Sequence, residues 1–205
     1  MKGFLITFEG IDGSGKTTQA NFLYKKLRLL KHPVRYLREP GGTAIGERIR
    51  SVLLDTTHSD MLPFTELFLY LAARAQITGS VIVPSLNAGE TVIMDRFIDS
   101  SVAYQGFARG LGFDLVRDLN LAATGGLIPD LTIVIDCDPE IALARSVSAP
   151  DRLESEGIPF MRHVREGFLL IARQDPGRVR VIDGGLSVSE IAELVFSSVS
   201  SLLAH

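Results

Sequence analysis

Eight residues near the start of the chain, Gly10-Ile11-Asp12-Gly13-Ser14-Gly15-Lys16-Thr17, satisfy the spacing G-x-x-x-x-G-K-[ST]. Glycines at such positions free backbone N–H groups to curl around phosphate oxygens, while the lysine reaches the outer phosphates and the hydroxyl holds a divalent cation. The context fits, because Phe4 to Phe8 reads as a buried strand before the loop. Thr18 to Leu30 reads as a helix after it, with Ala20, Leu23, Leu27 and Leu30 on one face. The amino end of that helix adds a field favourable to anions. A dinucleotide fingerprint is excluded, since the third glycine position is Thr18.

Other residues offer parts of the same chemistry. Asp95 follows the strand-like Thr91-Val92-Ile93-Met94, the arrangement of an aspartate that holds a metal directly or through water. Asp136, after Leu131 to Ile135, has the same local look and competes for the role; a strand-end aspartate is also an ordinary turn cap. Arg96 beside Asp95 favours the functional reading, because its fork suits bidentate phosphate contacts. Arg50 and Arg74 fall on expected helices, where a solvated surface charge is the ordinary reading. Arg74, however, sits among Ala72, Ala73 and Ala75, and Tyr70 lies one turn earlier, so the pair could stack a base and grip a phosphate; core packing explains Tyr70 equally well.

The elements that must position these residues alternate between strand and helix, the pattern of an α/β parallel sheet of about five strands covered by helices. Val34 to Arg38 reads as a second strand ending in the turn Glu39-Pro40-Gly41-Gly42, and Thr43 caps a helix carrying Ile45, Ile49, Val52 and Leu53. Pro63 opens a longer helix whose Phe64, Leu67, Phe68, Leu71 and Ala75 share a face. Val179 to Ile182 is the fifth strand, and Ser187 with Glu190 forms a capping box for a last helix with Ile191, Leu194, Val195 and Leu202 inward. The segment 146–157 lacks an apolar period and reads as a polar flap, either a lid that closes over a nucleotide or a surface loop. Arg152 within it, or Arg145 at its root, is positioned to supply charge to a transferring phosphoryl group.

With 205 residues, 46% of them hydrophobic, the chain suits one domain with a sizeable core. The net charge of -3 provides no general attraction to nucleic acid or to an anionic membrane, so an anion site must be built from placed Arg and Lys. Cys137 is the one cysteine, which excludes an internal disulfide. The apolar start is broken by Glu9 and reads as neither signal peptide nor membrane span. A cytoplasmic enzyme or nucleotide switch fits; the guanine-reading Asn-Lys pair of the switches is absent from the sequence.

Three segments carry a resemblance over nearly the whole chain. Phe8 to Thr18, Arg38-Glu39-Pro40-Gly41-Gly42-Thr43 and Asp95-Arg96-Phe97-Ile98-Asp99-Ser100-Ser101-Val102-Ala103-Tyr104-Gln105-Gly106 resemble the signatures of bacterial-type thymidylate kinases, the last almost residue for residue. The resemblance implies a P-loop kinase fold with a lid, ATP as donor, Mg²⁺ on Thr17 and Asp95, dTMP as acceptor and a homodimer. It implies an ATP loop running from Gly10 to Thr18, with Lys16, Asp95, Arg96 and Arg152 in catalysis. On the acceptor side it implies Tyr70 stacked on thymine, Ser101 and Gln105 at the base edge, and Arg50, Arg74 and Arg96 on the monophosphate. The resemblance also implies Asp12 at the sugar 3′-hydroxyl, Tyr104 crowding the 2′ position, Glu39 on the substrate side, and a proline, Pro40, of the kind that often follows a cis peptide in the family. Eukaryotic-type relatives carry an arginine where this chain has Gly13, which shifts the catalytic charge to the lid; Arg152 is the choice and Arg145 the alternative.

Overall fold

The computed structural model describes residues 3–145 and 151–203. Strand β1 (Leu5–Glu9) leads to α1 (Lys16–Leu29), β2 (Val34–Arg38), α2 (Ala44–Leu54) and α3 (Pro63–Ile77), which passes through a π-helical turn, Thr78–Ile82, into α4 (Val83–Asn87). Strand β3 (Thr91–Asp95) is followed by α5 (Ile98–Ser101), a second π-helical turn, Val102–Ala108, and α6 (Phe113–Thr124). Then come β4 (Leu131–Asp136), α7 (Pro139–Arg145), α8 (Gly157–Gln174), β5 (Val179–Asp183) and α9 (Val188–Leu203). The strands form one parallel sheet ordered β2-β3-β1-β4-β5, as the alternation of elements predicts.

Strands β1 and β3 are buried along their whole length because helices cover both faces, a setting that demands apolar residues at successive positions. On one face Ile6, Phe8, Ile93 and Ile133 pack with Ala20, Leu23 and Leu27 of α1 and Ile191, Val195 and Val199 of α9. On the other, Val92 and Met94 meet Ile77, Ile82, Leu86 and Phe97. The helical stretch Pro63–Asn87 has the length and mean hydropathy (1.3) of a membrane span. It is a core helix nonetheless, burying Glu66 and Arg74 together with Leu67, Leu71 and Ile77.

Several expected inward residues point out. Phe64 and Phe68 are 46% and 55% exposed, because the buried stripe of α3 runs through Leu67, Tyr70, Leu71 and Arg74 and leaves the two rings on its flank. Leu30, Ile45, Val52 and Leu194 are likewise exposed. Helix α6 has no counterpart among the expected helices, although Phe113, Val116, Leu119 and Ala123 set an apolar face against the core; that face also carries the buried Asn120 and Thr124. Of the flap expected over 146–157, residues 146–150 lie outside the described residues. The rest is no free loop: Arg152 and Leu153 are buried, and a helical turn, Glu154–Glu156, runs directly into α8.

A polar seam crosses beneath the sheet's centre. Thr7 and Thr132 on neighbouring strands share a hydrogen bond of 2.8 Å, and Thr132 Oγ1 donates to Asp99. Arg178 grips both carboxylate oxygens of Asp99, at 2.6 and 3.0 Å, and ties α5 to β4 and the approach to β5. Removing one partner of a buried pair leaves an uncompensated charge, which costs more than the pair is worth. We predict that Arg178→Met loses about 3–5 kcal/mol of stability in urea unfolding, and that adding Asp99→Asn recovers part of it. A loss below ~1 kcal/mol, the value of an exposed pair, would show that the pair is not buried in solution.

Candidate active site

The loop between β1 and α1 is held against α7. Gly13 has φ +77°, and a Cβ there would meet the Ala142 carbonyl oxygen at 2.1 Å. No side chain fits, which is why this loop cannot carry an arginine at that position. Gly15 is also left-handed (φ 97°) and starts α1 at Lys16, leaving Thr17 and Thr18 exposed on the first turn, where backbone N–H groups lack helical partners. Ser14 Oγ is buried in the loop without a hydrogen-bond partner. Lys16 Nζ donates to Asp12 Oδ1 at 2.9 Å and to the Ile11 carbonyl at 3.3 Å.

Because β1 and β3 are paired with Phe8 opposite Asp95, the ends of the two strands emerge side by side. Thr17 Oγ1 donates to Asp95 Oδ2 at 2.5 Å, and the Tyr36 hydroxyl of β2 donates to the same oxygen at 3.2 Å. Burial, then the Asp95 charge, raises the Tyr36 phenol above its ordinary range, so it stays a donor. The competitor Asp136 is occupied: Arg165 takes both its oxygens, at 2.5 and 2.8 Å. Hydroxyl and carboxylate are hard oxygen ligands, and among the described residues no group of three His, Cys, Asp or Glu side chains could hold a metal by itself. That donor set fits a cation that keeps water and shares phosphate oxygens.

Arg96 follows with φ 70°, a left-handed backbone unusual for a non-glycine residue. The turn directs its guanidinium back over the loop, where it donates to Asp12 Oδ1 (2.7 Å), the Gly10 carbonyl (3.0 Å) and Ser100 Oγ (3.0 Å), and lies 5.1 Å from the Tyr104 ring centre. Burial opposes the Asp12 carboxylate, but Arg96 and Lys16 outweigh it and hold its pKa well below the usual range. Asp12 is thus the anion that draws the two cations together. The turn is pinned from below by Glu9, fully buried, which accepts from the Phe97 N–H at 2.8 Å and pairs with Ser100 Oγ at 2.5 Å.

These residues line a crevice of about 480 Å³ together with Glu39, Arg50, Tyr70, Arg74, Ser101, Tyr104 and Gln105. Every residue expected from the sequence on the acceptor side therefore lines the crevice. Arg74 is held on every side: its Nε donates to Glu39 Oε2 at 2.8 Å and its Nη2 lies 2.6 Å from the same oxygen, while Ser101 Oγ accepts at 2.7 Å, the Phe97 carbonyl at 3.0 Å and the Asn120 side-chain oxygen completes the set. Held in this way, the Arg74 guanidinium braces the floor of the crevice that it also lines. Arg50 donates to the Pro40 carbonyl at 2.9 Å, next to the cis Glu39–Pro40 peptide. Burial, then the neighbouring Arg38, lowers the Arg50 pKa, so this wall favours an anion.

The two arginines expected to serve the lid have their partners outside the crevice. Arg152 is 6% exposed and does not line the crevice; its Nε donates to the Leu53 carbonyl at 2.8 Å and its Nη2 lies 2.6 Å from Glu66. Arg145 donates to the Gly184 carbonyl at 3.0 Å. Sequence reasoning missed Tyr36, Arg38, Ser100 and Asp151, which also line the crevice. Arg38 and Ser100 stood inside the quoted signatures, whereas Tyr36 carried no local signal.

Burial, and then the Asp99 carboxylate, pushes Glu9 from 4.5 up to about 8, against the pull of Ser100, Arg96 and the Phe97 N–H. A raised pKa in the folded state gives a contribution that is complete below pH 4.5 and is lost as the pH rises through about 8. Glu9→Gln mimics the protonated acid. Its urea midpoint should match that of the wild type near pH 4.5 and exceed it increasingly towards pH 8; parallel midpoints across that range would sink the assignment.

The whole arrangement has counterparts among known proteins. Residues 8–195 match the family model described as thymidylate kinase. A thymidylate kinase from Desulforudis audaxviator is 48% identical over 205 residues, covering 99% of this chain and 93% of its own. One from Pelotomaculum thermopropionicum is 49% identical over 186 residues, covering 89% and 86%. The crystal structure of thymidylate kinase from Ehrlichia chaffeensis superposes with a TM-score of 0.80 at 34% identity, covering 98% of this chain and 99% of that one. On these matches, the chain belongs to the thymidylate kinase family.

Proposed function

We propose that the crevice binds dTMP beside the phosphate chain of ATP and transfers the γ-phosphoryl group to it, giving dTDP and ADP. The observation that carries this reading is the convergence of Lys16 and Arg96 on Asp12, which sets one cation from the donor loop and one from the acceptor side around a single anionic position. The acceptor phosphate is itself a nucleophile, so the task is positioning and neutralisation of the charge spread over the equatorial oxygens. The loop from Gly10 to Thr18 cradles the donor phosphates. Arg96 and Arg50 hold the acceptor phosphate, with Arg38 nearby. Tyr70 stacks on the base, Ser101 and Gln105 read its edge, and Asp12 meets the sugar 3′-hydroxyl, with the Tyr104 ring against the 2′ position. Thr17 and Asp95 would hold Mg²⁺, which when bound neutralises phosphate charge.

Phosphoryl-transfer charge is assigned to Lys16 and Arg96, since Arg152 is turned to Glu66. An arginine supplied to such a transition state is worth roughly 10³ to 10⁵ in rate in P-loop enzymes. Arg96→Met should therefore lower kcat at least ~10³-fold, and Arg152→Ala much less; the opposite ranking would return the catalytic role to the lid. ADP release with Mg-ATP against dTMP, dUMP, dCMP, AMP, GMP and thymidine tests the reaction itself: the largest kcat/KM belongs to dTMP, and a preference for AMP or thymidine overturns the reading.

A homodimer, working in the cytoplasm, completes the proposal. It is supported by the paired Phe64 and Phe68 rings, 5.9 Å apart and half exposed on α3, with Leu62 also exposed. Phe68→Glu should shift sedimentation from dimer to monomer; an unchanged dimer places the interface elsewhere.

A further inference from the structure

Glu66, on α3, is only 1% exposed and does not line the crevice, yet it touches a residue that does. Its Oε1 accepts from Gln105 Nε2 at 2.8 Å, while its Oε2 lies 2.6 Å from Arg152 Nη2 and 3.2 Å from Arg109 Nη2. Arg109 is itself held by Glu156 at 2.6 Å and by the Phe160 ring at 4.7 Å. A carboxylate between two guanidiniums has only acceptors to offer. The Gln105 amide must therefore present its nitrogen; turning it over would set its oxygen against the carboxylate in a buried, low-dielectric site. Gln105 is 2% exposed, so the crevice meets the amide in the orientation that Glu66 imposes.

We infer that Glu66 is a specificity-determining positioning residue: it locks the Gln105 amide so that the side-chain oxygen accepts from a ring N–H of the acceptor base. Thymine and uracil carry a proton on N3, whereas cytosine has an acceptor there and would face oxygen with a lone pair. Such a mismatch leaves two buried acceptors unpaired, a discrimination of about tenfold to a hundredfold. The inference rests on the proposed assignment of Gln105 to the base edge.

The test compares kcat/KM for dTMP and dCMP in the wild type, Glu66→Gln, Glu66→Asp and Gln105→Met. In Glu66→Gln the new amide can donate as well as accept, which frees Gln105 to turn. The dTMP:dCMP ratio should fall about tenfold or more, with kcat/KM for dCMP rising and the dTMP loss falling mainly on KM. A role in folding alone would lower both substrates in parallel and leave the ratio unchanged, which overturns the inference. Glu66→Asp keeps the charge between the arginines but withdraws it from Gln105; it should also lower the ratio, and it carries the test if Glu66→Gln does not fold. If Gln105→Met keeps the wild-type ratio, the base-edge assignment falls and the inference with it. If the ratio collapses in Gln105→Met but survives in the Glu66 variants, the lock alone is overturned.

Discussion

The parallel pairing of β1 with β3 is the constraint on which the site depends. In that register Phe8 stands opposite Asp95, and the N–H of Arg96 extends the ladder by donating to the Phe8 carbonyl. Two segments separated by more than eighty residues in sequence thereby leave the sheet at the same edge. One curls into the phosphate loop and the other turns back through the left-handed Arg96. Open parallel sheets bind their ligands at the carboxyl ends of the strands, where helix termini and loops converge. Here the sheet's burial on both faces makes a one-residue slip prohibitive, because it would turn Val92 and Met94 into the space of Ile93.

Around that edge and beneath the sheet the protein keeps several buried ionisable groups held by specific partners. Glu9 pins the Arg96 turn, Arg178 balances Asp99, Arg74 balances Glu39, and Glu66 lies between Arg109 and Arg152. Buried charges are costly unless paired, so these pairings direct the polar residues involved to one conformation each. The result is a crevice whose cations are positioned before any substrate binds, the condition under which electrostatic stabilisation of a transition state costs no reorganisation. Arg74 illustrates the division: although it lines the crevice, its donors go to Glu39, Ser101, Asn120 and the Phe97 carbonyl and hold them in place.

How far the sequence is legible follows from how local each signal is. The loop from Gly10 to Thr17 can be read because its function is written into backbone conformation, and the glycines that permit that conformation are consecutive enough to form a pattern. All five strands and the Ser187 capping box are equally local. Legibility ends where the partner is distant. Asp95 and Asp136 look alike in sequence, both closing an apolar strand, and only the fold shows Asp136 clamped by Arg165 while Asp95 meets Thr17. The inward side of α6 also bears Asn120, whose side-chain oxygen serves Arg74, a partnership that no neighbouring residue in the sequence announces.

What the sequence determined by itself was therefore the alternation of elements, the phosphate chemistry of the loop, and, through the family resemblance carried by the segment from Asp95 to Gly106, the kind of acceptor to expect. What only the tertiary structure decided was the assignment of charge. Arg152, the arginine chosen for the lid, and Arg96, 84 residues from the Asp12 it serves, are indistinguishable as residue types; their partners separate only when Glu66 captures one and Asp12 the other. The physical reason is the reach of the two kinds of interaction. Backbone geometry is set by neighbours in the chain, whereas a buried ion pair is set by whichever opposite charge the fold brings within about 4 Å.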